Sequence, residues 1–151
     1  MVFGIAYNLL NNASLAEEVA QDVFLQLHRS RPGIRSGAHL VYWLRRTATH
    51  RSIDILRRKG TENEVQMEVL PEVAAEVRVS DPLLERKLRK LVASLPAKQR
   101  AVLVLRFGED MDVGEISRTL DIPARTVWSH LQRALELLRA KAAPYVMEER
   151  K

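Results

Sequence analysis

Apolar residues in this 151-residue chain recur at three- and four-residue spacing almost from end to end, and no alternating run persists. That periodicity predicts an all-α fold, because a half-buried strand needs a period of two. One stretch interrupts it. Between Thr61 and Asp81, the acids Glu62, Glu64, Glu68, Glu72, Glu76 and Asp81 face only Arg78, so this segment counts −5 in a chain of net +5 and the remainder carries +10. With Gly60 and Pro71 as breakers, residues 60–81 read as an acidic linker. It joins two small, basic helical domains, residues 1–59 and 82–151.

Composition narrows the classes of function. A hydrophobic share of 46% is ordinary for a globular chain, and 24 Lys and Arg against 19 Asp and Glu suit a polyanionic partner. The absence of cysteine excludes disulfides, thiolate metal sites and thiol nucleophiles. The four histidines, His28, His39, His50 and His130, lack metal-binding spacing. Even His39 and His50, on one helix, would stand about 16 Å apart. No glycine loop could cradle a phosphate. The expectation is a non-enzymatic protein without cofactor or metal. No run approaches the roughly 20 apolar residues of a membrane span. The opening MVFGIAYNLL lacks the basic start and cleavage site of a signal peptide, so a soluble cytoplasmic protein is expected.

In the first domain, Ser14-Leu-Ala-Glu17 has the form of a capping box and predicts a helix beginning at Ser14. Leu15, Ala16, Val19, Ala20, Val23, Phe24 and Leu27 share one broad arc of that helix. Glu17, Glu18, Gln21, Asp22 and Gln26 share the other, and Leu25 stands among them. An apolar residue ringed by acids suits a basic, partly apolar partner, although a lone surface leucine has the same pattern. After the breaker-rich RSRPGIRSG, a helix from about His39 to Arg58 is expected. Leu40, Leu44, Ala48 and Ile55 form its inward stripe, while Trp43, Arg46, His50, Ile53 and Arg57 point away. Interleaved aromatic and basic groups can stack on bases beside a phosphate backbone, and a core tryptophan among solvated arginines fits equally well.

In the second domain, Asp81-Pro82 opens a helix on which Leu84, Leu88, Leu91, Val92 and Leu95 are spaced. AKQRAVLVLRF supplies another, closed by Gly108. DVGEISRTL, the short turn DIP and ARTVWSHLQRALELLRAK then read as a helix-turn-helix. Val127, Leu131, Ala134, Leu135 and Leu138 form a narrow core stripe on its second helix. Opposite lie Arg125, Ser129, Gln132 and Arg133, flanked by Trp128 and His130. Arg and Gln have the forked geometry that pairs with guanine and adenine edges.

These segments, in this order, resemble the two domains of a bacterial RNA polymerase sigma factor of the extracytoplasmic-function group. AEEVAQDVFLQL resembles the acid-rich helix that grips the clamp of core polymerase. WLRRTATHRSIDILRR resembles the helix that opens and reads the −10 promoter element. SLPAKQRAVLVLRF and MDVGEISRTLDIPARTVWSHLQRALELLR resemble the −35-binding domain, a region 4 type helix-turn-helix akin to winged helices. The resemblance implies polymerase-binding roles for Glu18, Gln21, Asp22 and Leu25. It implies −10 roles for Trp43, Arg46, His50 and Arg57. For −35 DNA it implies Arg125, Thr126, Trp128, Ser129, His130, Gln132 and Arg133. Core RNA polymerase and promoter DNA are then the partners, with an anti-sigma factor as a further candidate. Family members begin about twenty residues earlier, so the first helix is expected to lack its start. They often carry asparagine at the position of His50 and glycine at that of Asp121. The rival reading is a stand-alone helix-turn-helix regulator, which accounts for Arg125 to Arg133 but not for the acids around Leu25.

Overall fold

The computed structural model describes residues 1–61 and 82–149, and these are helical, with no strand among them. α1 (Val2–Leu10) is apolar on nearly every side and buries Val2, Ile5, Ala6, Leu9 and Leu10. It stops at Asn11, whose left-handed φ of 50° an asparagine adopts more readily than most residues. α2 (Ala13–Ser30) follows at once. Its N-cap is Asn12, whose Oδ1 accepts the Leu15 N–H at 3.1 Å. The expected start at Ser14 is therefore corrected by two residues: asparagine caps as well as serine, and it comes first in the chain.

α2 turns Ala16, Val19 and Val23 toward α1 and α3. Phe24, expected on the same buried arc, is instead 53% exposed. The two neighbouring helices cover only the Ala16–Val19–Val23 side, and Phe24 lies 100° around the helix from Val23.

A 3-10 turn, Arg31–Gly33, leads to α3 (Gly37–Thr61). This helix runs through Gly60, which was expected to end it. A glycine in the last turn costs only about 1 kcal/mol, too little to break an already packed helix. The rest of the expected linker, including Pro71, lies outside the described residues. The buried face of α3 is also rotated from the expected one. Ala48, Thr49, Ser52 and Ile53 are enclosed, whereas Leu40, Leu44 and Ile55 are only half-covered. Small side chains at 48 and 52 permit close helix approach, and Ser52 satisfies its hydroxyl on Ala48 O at 2.7 Å.

In the second half, α4 (Pro82–Ala93) has no fully buried residue, and Leu84 and Leu88 are exposed rather than internal. α5 (Ala97–Leu103) buries its second half, Arg100, Ala101, Val102 and Leu103, and widens into a π turn, Val104–Gly108. α6 (Val113–Leu120) and α7 (Ala124–Glu149) complete the set. The two halves share one apolar core: α1 touches α4 and α5, and α3 touches α5 and α6. Arg100 crosses the junction. It is only 9% exposed and donates to Leu9 O at 2.7 Å, to Leu95 O at 2.9 Å and to Ala93 O.

Candidate nucleic-acid interface

The geometry of α6 and α7 follows from their caps. Asp112 Oδ1 accepts the Glu115 N–H at 2.8 Å, which fixes the start of α6. That backbone hydrogen bond, above all, holds the Asp112 carboxyl below its ordinary range. At the other end Asp121 takes a left-handed cap at φ 57°, a conformation that aspartate tolerates better than most residues, and its N–H returns to Ser117 O. The Ile122 N–H reaches the same carbonyl at 3.2 Å, and Pro123 O accepts from Thr126 and Val127 to begin α7. The chain thus reverses over three residues into a helix-turn-helix. No β-wing accompanies it among the described residues.

Val127, Leu131 and Ala134 lock α7 onto α5 and α6. On its outer side Arg125, Trp128, Ser129, Gln132 and Arg133 are exposed, while Thr126 and His130 are half-buried. Ser129 Oγ donates to Arg125 O at 3.0 Å. His130 buries an unpartnered Nδ1, and burial, followed by the positive charges of Lys98 and Arg133, pushes its pKa below the ordinary imidazole value. Neutral His130 can present a ring nitrogen to DNA but brings no charge at neutral pH. Five of the seven expected −35 residues, two of them arginines, are therefore accessible on one helix, with Thr126 and His130 partly covered beside them.

The acid-rich face of α2 is equally accessible. Glu17, Glu18, Gln21 and Asp22 are exposed, and Leu25 is 59% exposed beside Phe24. Ala20, Gln21, Phe24 and Leu25 line a shallow depression there. Asp22 pairs with Arg51 of α3 at 3.6 Å, and Arg51 also donates to Gln26 Oε1 at 2.9 Å, so two hydrophilic anchors flank an apolar tip.

The third group is less accessible than expected. Trp43 is half-buried against the core, and Ile53, expected to point outward beside it, is 6% exposed. Arg46 Nη1 donates to Arg118 O at 3.2 Å and Thr119 O at 3.3 Å, and His50 Nε2 lies 2.9 Å from Thr119 O. Tyr42 Oη donates to Arg118 O at 3.3 Å. Only Arg57, nearer the end of α3, stands on the exposed surface. Sequence reasoning missed three junction residues: Tyr42, Arg100 and Arg89, whose Nη1 donates to Asn8 Oδ1 at 3.0 Å. For Arg100 a signal existed, since it shares a helical face with Leu103 and Val104 inside an apolar run.

A helix-turn-helix and an acid-ringed apolar tip, carried by helices that share one apolar core, fit the class of DNA-binding transcription proteins. The sigma-70 region 2 model matches residues 1–62, and the sigma-70 region 4 model matches residues 85–138. The chain is 32% identical to the ECF RNA polymerase sigma factor SigE of Mycolicibacterium smegmatis, over 97% of its own length and 59% of that relative's. It is 29% identical to the ECF RNA polymerase sigma factor SigW of Bacillus subtilis, over 91% of this chain and 81% of that one. Its fold matches the sigma factor RpoE of Bartonella quintana, solved in complex with the anti-sigma factor NepR, with a TM-score of 0.71 at 19% identity over 92% and 88% of the two chains. The chain belongs to the sigma-70 family, in the extracytoplasmic-function group of RNA polymerase sigma factors.

Proposed function

We propose that this chain confers promoter specificity on core RNA polymerase. The observation that carries the reading is the separation of two accessible faces: an acid-ringed apolar tip on α2 and a cationic recognition side on α7. A regulator that acts alone needs only the second. Residues 1–59 act as the region 2-like module and residues 82–151 as the region 4-like module, with 60–81 as their connector.

In this reading Glu18, Gln21, Asp22 and Leu25 dock on polymerase, which tethers both modules at the promoter and raises their local concentration there. Phe24 adds apolar area to the same surface. Arg125, Thr126, Trp128, Ser129, His130, Gln132 and Arg133 engage the −35 duplex. Phosphate contacts there supply most of the affinity, and base-edge pairs supply about 1–3 kcal/mol of discrimination each. Trp43, Arg46, His50 and Arg57 handle the opening −10 strands, where stacking of an extruded base returns about 1–3 kcal/mol of the unpairing cost. The protein catalyses no bond change itself and acts in the cytoplasm, where polymerase and promoters are. An anti-sigma factor, of the kind seated on the Bartonella relative, fits as its antagonist.

The test is transcription in vitro by core polymerase on a library of randomised upstream sequences. Addition of the chain should produce new transcripts whose templates share two motifs at fixed separation. Transcripts unchanged by the chain would refute the proposal.

A further inference from the structure

His130 stands among the residues assigned to −35 DNA, yet half of its ring is inside the fold. Its Nδ1 is enclosed without a hydrogen-bond partner. Nε2 is not among the enclosed polar atoms and bonds to no described residue, so it is the nitrogen a ligand can reach. An enclosed N–H without an acceptor is the costlier orphan. The neutral ring therefore keeps its proton on Nε2 and presents a donor outward.

Two cations from two elements flank this donor. Lys98 stands near the start of α5, which packs on α7, and Arg133 lies one turn beyond His130 on α7 itself. Both are exposed, and neither pairs with a carboxylate among the described residues. No acid offsets them at the ring. α6, also packed on α7, offers Glu115 and Arg118, and α7 carries Arg125 and Glu136, but the charges that act on His130 are Lys98 and Arg133. α4 lies farther along, where Leu88 and Val92 share a cleft with Leu135 and Leu138, and its Glu85 is held by Arg89 at 2.9 Å. Uncompensated positive charge around an outward donor fits an anion, and the anion that recurs along every duplex is the backbone phosphate.

We propose that Lys98, His130 and Arg133 together seat one backbone phosphate of duplex DNA, and that filling this seat draws a proton onto His130. The proposal rests on the −35 assignment of α7 and adds Lys98, which no sequence motif singled out. In the free chain, burial and the two like charges keep the ring neutral. A phosphate offsets those charges and places a negative one beside the ring. The second proton comes from solvent and goes to Nδ1. An opposite charge within about 4–6 Å changes proton affinity about tenfold or more. Because the complex then holds the proton more tightly than the free chain, duplex affinity rises as pH falls. With a tenfold change the gain is about threefold between about pH 8 and pH 6.

The test uses the full chain and random-sequence duplexes of about 20 base pairs, read by fluorescence anisotropy at fixed ionic strength. The wild type should tighten about threefold over that pH interval, and His130→Gln should lose this gain. His130→Arg, a permanent cation, should bind at pH 8 at least as tightly as the wild type does at pH 6. Lys98→Ala should weaken binding throughout and reduce the slope of log affinity against log salt by about 0.9. A wild-type pH profile no steeper than that of His130→Gln would overturn the seat and leave the −35 assignment standing. An unchanged salt slope in Lys98→Ala would do the same. Duplex binding that is absent, or that Arg125→Ala and Arg133→Ala both leave unmoved, would overturn the −35 assignment and the seat with it.

Discussion

Arg100→Met is the most informative test of how the two modules are joined. Arg100 is 9% exposed and its guanidinium holds three carbonyls, Leu9 O from α1, Ala93 O from the end of α4 and Leu95 O from the turn before α5. Methionine retains much of the apolar stem and removes every donor. Each buried carbonyl left without a partner costs about 1–3 kcal/mol, and hydrogen bonds from a charged group lie toward the upper end of that range. Part of this is offset, because burial already disfavours the charged guanidinium and lowers its pKa. A net loss of about 3–5 kcal/mol is expected. At about 2–4 °C per kcal/mol for a chain of this size, the melting temperature should fall by roughly 10 °C. Arg100→Lys should recover less than half of the loss, since one ammonium cannot reach three carbonyls that surround a planar fork. Urea unfolding followed by far-ultraviolet circular dichroism measures both variants. A loss below about 1 kcal/mol for methionine would refute the view that Arg100 bolts the junction.

Other expectations concern the helix-turn-helix. Asp121 is left-handed at φ 57°, so Asp121→Gly should be neutral or slightly stabilising, while Asp121→Val should cost about 1–2 kcal/mol in thermal melts. The depressed pKa of His130 means that the unfolded chain takes up its proton first as pH falls below 6.5. Stability should therefore be insensitive to His130 above that pH and should decline below it, and His130→Gln should flatten that part of the pH profile. Arg133→Ala should weaken duplex binding and reduce the slope of log affinity against log salt by about 0.9 if the side chain meets one phosphate. Arg125→Ala, if Arg125 meets a guanine edge, should instead relax base preference by about 1–3 kcal/mol at one position, read by competition between binding-site variants.

Local signals carried far in this chain. The turn Asp121–Pro123, the core stripe Val127, Leu131 and Ala134, and the cationic side of α7 all follow from nearby residues, and the structure has them. The exposed acids around Leu25 were equally legible, because helical period alone decides which face they share. What the sequence hid is tertiary. Trp43 and Ile53 look like an outward stripe until one knows that α3 packs on α1 and α2 with Ile53 enclosed and Trp43 half-covered. Leu84 and Leu88 look internal until α4 is found at the margin of the fold. Arg46 and His50 carry nothing in their spacing to indicate that the end of α6, some 70 residues later, would supply their acceptors. The capping error at Ser14 had a simpler origin, since Asn12 competes for the same role and wins by position.

The central claim is that the exposed face of α2 docks this chain on polymerase. The most direct measurement is gel filtration of the full chain with bacterial core RNA polymerase, beside an Asp22→Arg variant. Asp22 is 56% exposed and packs into no core, so reversing its charge should leave helicity unchanged. The account predicts co-elution of the wild type with polymerase and its loss in the variant. A folded Asp22→Arg protein that co-elutes as completely as the wild type would contradict it.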